Sequence, residues 1–213
     1  MAVSTQLIEL VSKTTGLALA TVVDIDRRLV KSNLRTKGGR GLNAARMTPL
    51  DAARLLTAIL GSAQAYVSVD AVERYTQTRV DKARSSDKLY GAANLEDLAA
   101  LPARHSFIEA LAALIASAGS GSLATLIPTS RNAPLPNIEV FAFTRATRGR
   151  IRIGLPSGLT ASIEYQAVPA TEQTGRQGRK RANEVGDLEQ SRRITERTIL
   201  PIAKLLSKGG ADD

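Results

Sequence analysis

The hydrophobic pattern of this chain changes from helical to alternating period at Gly119-Ser120-Gly121-Ser122. Before that stretch apolar residues recur at three- and four-residue spacing, the period of a helix with one buried face. Beyond it, from Asn137 to Val168, they alternate with polar residues, the period of a strand. A chain that spends one part on helices and another on alternating strands folds as α+β. Gly119–Ser122 itself has neither a lysine nor a helix start after it and is expected to be a flexible connector.

The first helical stretch is STQLIELVSKTTG, with Leu7, Ile8, Leu10 and Val11 apolar, and a second follows with Val22, Ile25 and Leu29, ending near Asn33. Gly16 supplies the permissive backbone between them, and Ser4 or Thr5 is placed to cap the first. A third helix opens at Thr48-Pro49-Leu50-Asp51 and stops at Gly61: a cap residue, a proline in the first turn and an acid at the positive end of the dipole. SVDAVERYTQTRV predicts a further helix, and SFIEALAALIASAG a strongly apolar one. Three runs near 138–145, 150–155 and 160–168 predict an antiparallel three-stranded meander. LEQSRRITERTILPIAKLLSKGG closes the chain as an amphipathic helix interrupted at Pro201.

These elements divide into an N-terminal helical domain over 1–82, a polar linker over 83–103, and a helix-plus-sheet assembly domain over 104–168. A basic segment over 169–187 with little to bury and a C-terminal helix over 188–208 complete the chain.

Composition narrows the chemistry. Only 3% of residues are aromatic and none is Trp, so the core is aliphatic. With no cysteine, disulfides, thiol catalysis and zinc ribbons are excluded, and the single histidine, His105, makes any Ser/His/Asp triad depend on one residue. His105 heads a helical pattern, where a surface position in the first turn is expected. Glu96 and Asp97 lack a partner histidine for acid–base work. No enzyme activity, metal or cofactor is expected. No run of eighteen apolar residues occurs, and Gln6, Glu9 and Lys13 break the N-terminal stretch, which predicts a cytoplasmic protein with no membrane partner. Lys and Arg number 29 against 20 acids, a net charge of +9, so the surface attracts polyanions.

One acid-free cationic stretch lies between the second and third helices. LRTKGGRGLNAARMTP, residues 34–49, holds Arg35, Lys37, Arg40 and Arg46 with no acid, and Gly38, Gly39 and Gly41 let a backbone approach a duplex. A nucleotide-binding loop is not indicated, because the lysine precedes the glycines and no Gly-Lys-Ser/Thr follows.

Ile8, the small Ser12, Gly16 in the turn, and Val22 and Ile25 on the next helix resemble the helix-turn-helix superfamily, and RTKGGRG after the second helix resembles the loop of a winged variant. The resemblance covers roughly the first 60 residues. It implies that the second helix enters the major groove, with Thr21, Arg27, Arg28 and Lys31 as contacts. The remaining contacts would come from Arg35, Lys37, Gly38, Gly39, Arg40 and Arg46. Ala18, Leu19 and Ala20 depart from the pattern, since they make no bidentate base contact, and Asp24 and Asp26 would repel phosphate. Arg145, Arg148, Arg150 and Arg152 line a turn and one strand face and form a second basic surface. The expected function is a homo-oligomeric, double-stranded-DNA-binding transcriptional regulator. The layout also resembles phage small terminase subunits, and an adaptor that binds protein rather than DNA is the remaining alternative.

Overall fold

A computed structural model describes residues 2–37, 46–86, 95–125, 138–144, 147–155, 158, 160–167 and 190–207. The basic segment of residues 169–187 lies outside them. The helices are α1 Ser4–Thr15, α2 Leu19–Lys31, α3 Pro49–Gly61, α4 Ser68–Thr76, α5 Glu96–Ala99, α6 Phe107–Gly119 and α7 Glu196–Ser207. The strands are β1 Thr78–Val80, β2 Ile138–Phe143, β3 Arg148–Gly154, β4 Thr160–Ala167 and β5 Ser191–Thr195. Among the described residues no helix is long and apolar enough to cross a membrane.

α1 buries Leu7, Ile8 and Val11 and ends at Gly16, whose φ of 75° lets its N–H reach Ser12 O. Glycine accepts this left-handed turn without steric cost. Neither Ser4 nor Thr5 caps the helix. Both lie inside it, and the start is fixed instead by the Val3 N–H donating to Gln6 Oε1 at 3.1 Å. α2 stops at Lys31, and Asn33, with φ of 57°, turns the chain so that Leu34 N donates to Leu29 O at 2.9 Å.

α3 and α6 form the centre. Leu55, Leu56 and Leu60 of α3 and Leu111, Leu114 and Ile115 of α6 are all essentially inaccessible to solvent, Ala52, Ala53, Ala58 and Ala110 of the same helices are buried with them, and the two helices pack on each other. α4 and α2 pack on α3, and α7 packs on α1 and α6. The buried apolar residues on either side of the expected 83–103 linker, Leu95 and Leu98 inside it included, belong to one continuous cluster.

The meander is present, and the sheet is larger than three strands. Its five strands run in the order β1-β4-β3-β2-β5, with every pairing antiparallel. β1 occupies the end of the stretch expected to be helical, and β5 occupies the front half of the expected C-terminal helix. Each is three to five residues long, too short for alternation to outweigh a neighbouring helical period, and each is fixed by a partner remote in sequence. Pro201 does not interrupt α7, which runs through it. Ser122–Thr125, at the end of the expected flexible connector, is a 3-10 turn with Leu123 buried.

Ile151, Ile153, Ile163 and Tyr165 face the helices. Phe107 lies between Tyr75 and Tyr165, at centroid distances of 5.2 and 5.6 Å. Gly149 opposes that ring, and a Cβ there would come within 3.0 Å of three of its carbons. His105 is buried rather than on the surface. Its Nδ1 lies 2.7 Å from Pro102 O, so Nδ1 carries the proton and donates. Nε2 then accepts from the Tyr165 hydroxyl at 2.8 Å in the neutral ring.

Candidate nucleic-acid interface

The basic loop is closed at its neck by one carboxylate. Thr48 caps α3 through its side chain, accepting from Asp51 N at 3.1 Å, and Asp51 returns the contact by accepting from Thr48 N at 3.0 Å and Thr48 Oγ1 at 2.8 Å. The same carboxylate accepts from Thr36 N at 2.9 Å and Thr36 Oγ1 at 3.0 Å. Thr36 and Thr48 stand at opposite ends of the segment containing Lys37, Arg40 and Arg46, so both ends converge on Asp51. Burial pushes the Asp51 carboxyl up, but the hydrogen bonds from Thr36 and Thr48 together outweigh it, and the group sits below its ordinary value of 3.8.

A second anchor lies behind the neck and corrects one assignment. Arg35, expected among the phosphate contacts, is only 5% exposed. Its Nε lies 2.9 Å from Asp26 Oδ1, as an ion pair without the alignment of a hydrogen bond, and its Nη2 faces Met47 Sδ at 3.0 Å. The guanidinium ties α2 to the loop from inside and is not presented to a ligand. Burial raises the Asp26 pKa, Arg35 opposes the rise, and the Asp51 charge adds to it. The sequence carried a signal for this pair: Asp26 falls on the inward face of α2 beside Ile25 and Leu29, and a carboxylate there needs a buried partner. Nothing comparable marked Asp51 as more than a cap residue, because its link to Thr36 is tertiary.

The outward residues of α2 keep their expected exposure. Thr21, Arg27 and Lys31 are exposed, as are Lys37 and Arg46 at the two sides of the neck. None of these four cations has an acidic partner among the described residues. Arg28 is half-exposed and paired with Asp24 at 3.0 Å. Asp24 is therefore neutralised and Asp26 is buried, so neither presents the bare carboxylate expected to repel phosphate. Ser12 Oγ donates to Leu17 O at 2.7 Å and closes the α1–α2 turn. Gly38, Gly39, Arg40 and Gly41 lie outside the described residues.

On the sheet, Arg150 and Arg152 project from the outer face while Ile151 and Ile153 are buried. Arg150 pairs with Glu164, and Arg152 pairs with Glu139 at 2.9 Å. Arg193, on β5 and missing from the expected surface, shares Glu139 at 2.7 Å. Arg148 stacks over the Phe143 ring at 4.8 Å, and Arg145 lies outside the described residues. This face is laced with ion pairs, in contrast to the open cations around α2.

Comparison of the chain with protein-family models, curated proteins and solved structures finds no match.

Proposed function

We propose that the chain binds double-stranded DNA through α1 and α2, used as a helix-turn-helix, and through the basic loop between Thr36 and Thr48, and that it acts as a regulator of transcription. The observation that carries this proposal is the placement of Arg27, Lys31, Lys37 and Arg46. They are exposed and, among the described residues, without acidic partners on α2 and at the neck of the loop, while Arg28, Arg35, Arg150, Arg152 and Arg193 are paired. In this proposal the loop takes the place of a wing. Lys31, Lys37 and Arg46 neutralise phosphates, which supplies affinity without sequence choice. Ala18, Leu19, Ala20 and Thr21, all exposed in the first turn of α2 and just before it, bring small apolar groups against base edges, where the thymine methyl is the natural contact. Thr21 and Arg27 carry the polar part of the readout. A two-fold assembly doubles these contacts and compensates for limited readout by one subunit.

The test is the salt dependence of binding to duplex DNA. Each phosphate neutralised contributes about 0.9 to the log–log slope, so Lys37→Ala with Arg46→Ala should reduce its magnitude by roughly 1.8 and weaken all sequences alike. Neither residue is buried, so the melting temperature should hold. A parental slope and affinity in the folded double variant would place the DNA contact elsewhere.

A further inference from the structure

A second feature lies away from α2 and the loop. A cleft of about 600 Å³ opens between the end of α1 with Leu17, the end of α3 at Ile59 and Leu60, strand β5, and the first turn of α7. β5 is an edge strand. Thr144 N donates to Gln190 O at 2.9 Å, which makes 144 and 190 a hydrogen-bonded pair. The alternation of an antiparallel ladder then points the backbone of Arg192 and Ile194 toward β2, and leaves the N–H and C=O groups of Ser191, Arg193 and Thr195 facing outward. Among the described residues no strand pairs with that edge. An open edge of this kind is a template for another extended chain.

The side chains around the edge specify what would fit. A strand laid beside β5 sends alternate residues to opposite faces. One set falls on the side of Ile194, toward Leu17, Ile59 and Leu60, and is best apolar. The other falls on the side of Arg193, with Arg197 of α7 also lining the cleft. The charge there is positive. Glu196 also lines the cleft, but it is buried and its carboxylate accepts from Ile138 N at 3.1 Å, and Glu139 is shared between Arg193 and Arg152. Arg192 is held by α3, donating from Nη1 to Ile59 O at 2.8 Å and from Nη2 to Ala63 O at 3.2 Å, which fixes the cleft wall.

We infer that β5 takes an added strand from a partner protein, an extended segment with acidic residues at alternate positions and apolar residues between them. A nucleic-acid duplex has no backbone donors and acceptors spaced to continue the ladder, and it has no apolar side chains for Leu17, Ile59 and Leu60.

The experiment uses the full chain and a labelled peptide of about eight residues alternating glutamate and valine, with a lysine–valine peptide as control. Fluorescence anisotropy should show binding of the glutamate peptide alone, and hydrogen exchange should show the Arg193 and Thr195 amides slowed when it is bound. Arg193→Gln with Arg197→Gln should weaken binding about tenfold at low salt, each exposed charge contributing roughly two- to fivefold, with the melting temperature retained. Lys37→Ala with Arg46→Ala should leave the peptide affinity unchanged, so this site and the proposed DNA contact can fail separately. Equal binding of both peptides, no amide protection, or parental affinity in the Arg193/Arg197 variant would overturn the proposal. Displacement of the peptide by duplex DNA would also overturn it, by assigning the cleft to nucleic acid.

Discussion

Replacing Asp51 by asparagine isolates the charge at the neck of the basic loop while preserving its shape. The retained oxygen can still accept from Thr36, but the new amide group faces the Thr48 N–H across the 3.0 Å now spanned by a hydrogen bond, donor against donor. Loss of one hydrogen bond to a charged acceptor costs about 1.5–3 kcal/mol. Relief of the repulsion between Asp51 and Asp26 offsets part of this, so a net loss near 2 kcal/mol is expected at pH 7. The pH dependence has a definite sign. Because the folded pKa of Asp51 lies below 3.8, its ionised form contributes stability above the unfolded value, and the contribution is lost as pH falls through the folded one. Asp26 acts oppositely: its raised pKa makes ionisation costly to the fold, and protonation removes that cost as pH falls toward 3.8. Comparing variant with parent cancels most of the Asp26 effect. Urea unfolding followed by circular dichroism at pH 7, 5 and 2 should show a deficit that is full at pH 7 and 5 and reduced at pH 2. A variant as stable as the parent at pH 7, or a deficit undiminished at pH 2, would refute the role of the Asp51 charge.

Two further outcomes are expected. Arg35→Ala strands the buried Asp26 carboxylate and should cost about 3–5 kcal/mol by urea unfolding, far more than removal of an exposed cation such as Lys37; a loss under 1 kcal/mol would show that the pair is not desolvated. Gly149→Ala drives a methyl group into the Phe107 ring, which Tyr75 and Tyr165 hold from either side, and should cost roughly 1–3 kcal/mol, read as a lowered melting temperature.

Local signals carried much of the fold into the sequence. Gly16, Thr48-Pro49-Leu50-Asp51 and the alternation of Arg150, Ile151, Arg152 and Ile153 each act within a few residues, and each element appears where that chemistry places it. β1 and β5 were not legible, because an edge strand of a few residues exists only by virtue of its partner, and Thr78 pairs with Ala167. The candidate site divides in the same way. Exposure of Thr21, Arg27 and Lys31 follows from helical period, whereas the fate of Arg35 depends on Asp26 and Met47 being nearby in space. One arginine in a basic run looks like another until the fold selects which is buried.

The two edges of the sheet come from distant parts of the chain. β3 can pair with β2 and with β4 as soon as the meander has been synthesised, but β2 keeps a bare edge until residues 191–195 arrive. α7, which packs on both α1 and α6, comes later still. A chain stopped before β5 therefore exposes the length of β2 and the apolar faces that α7 covers, a combination that favours strand-to-strand association between chains. Completion of this fold is thus timed by its last twenty or so described residues, and premature termination there should yield aggregate rather than a smaller soluble domain.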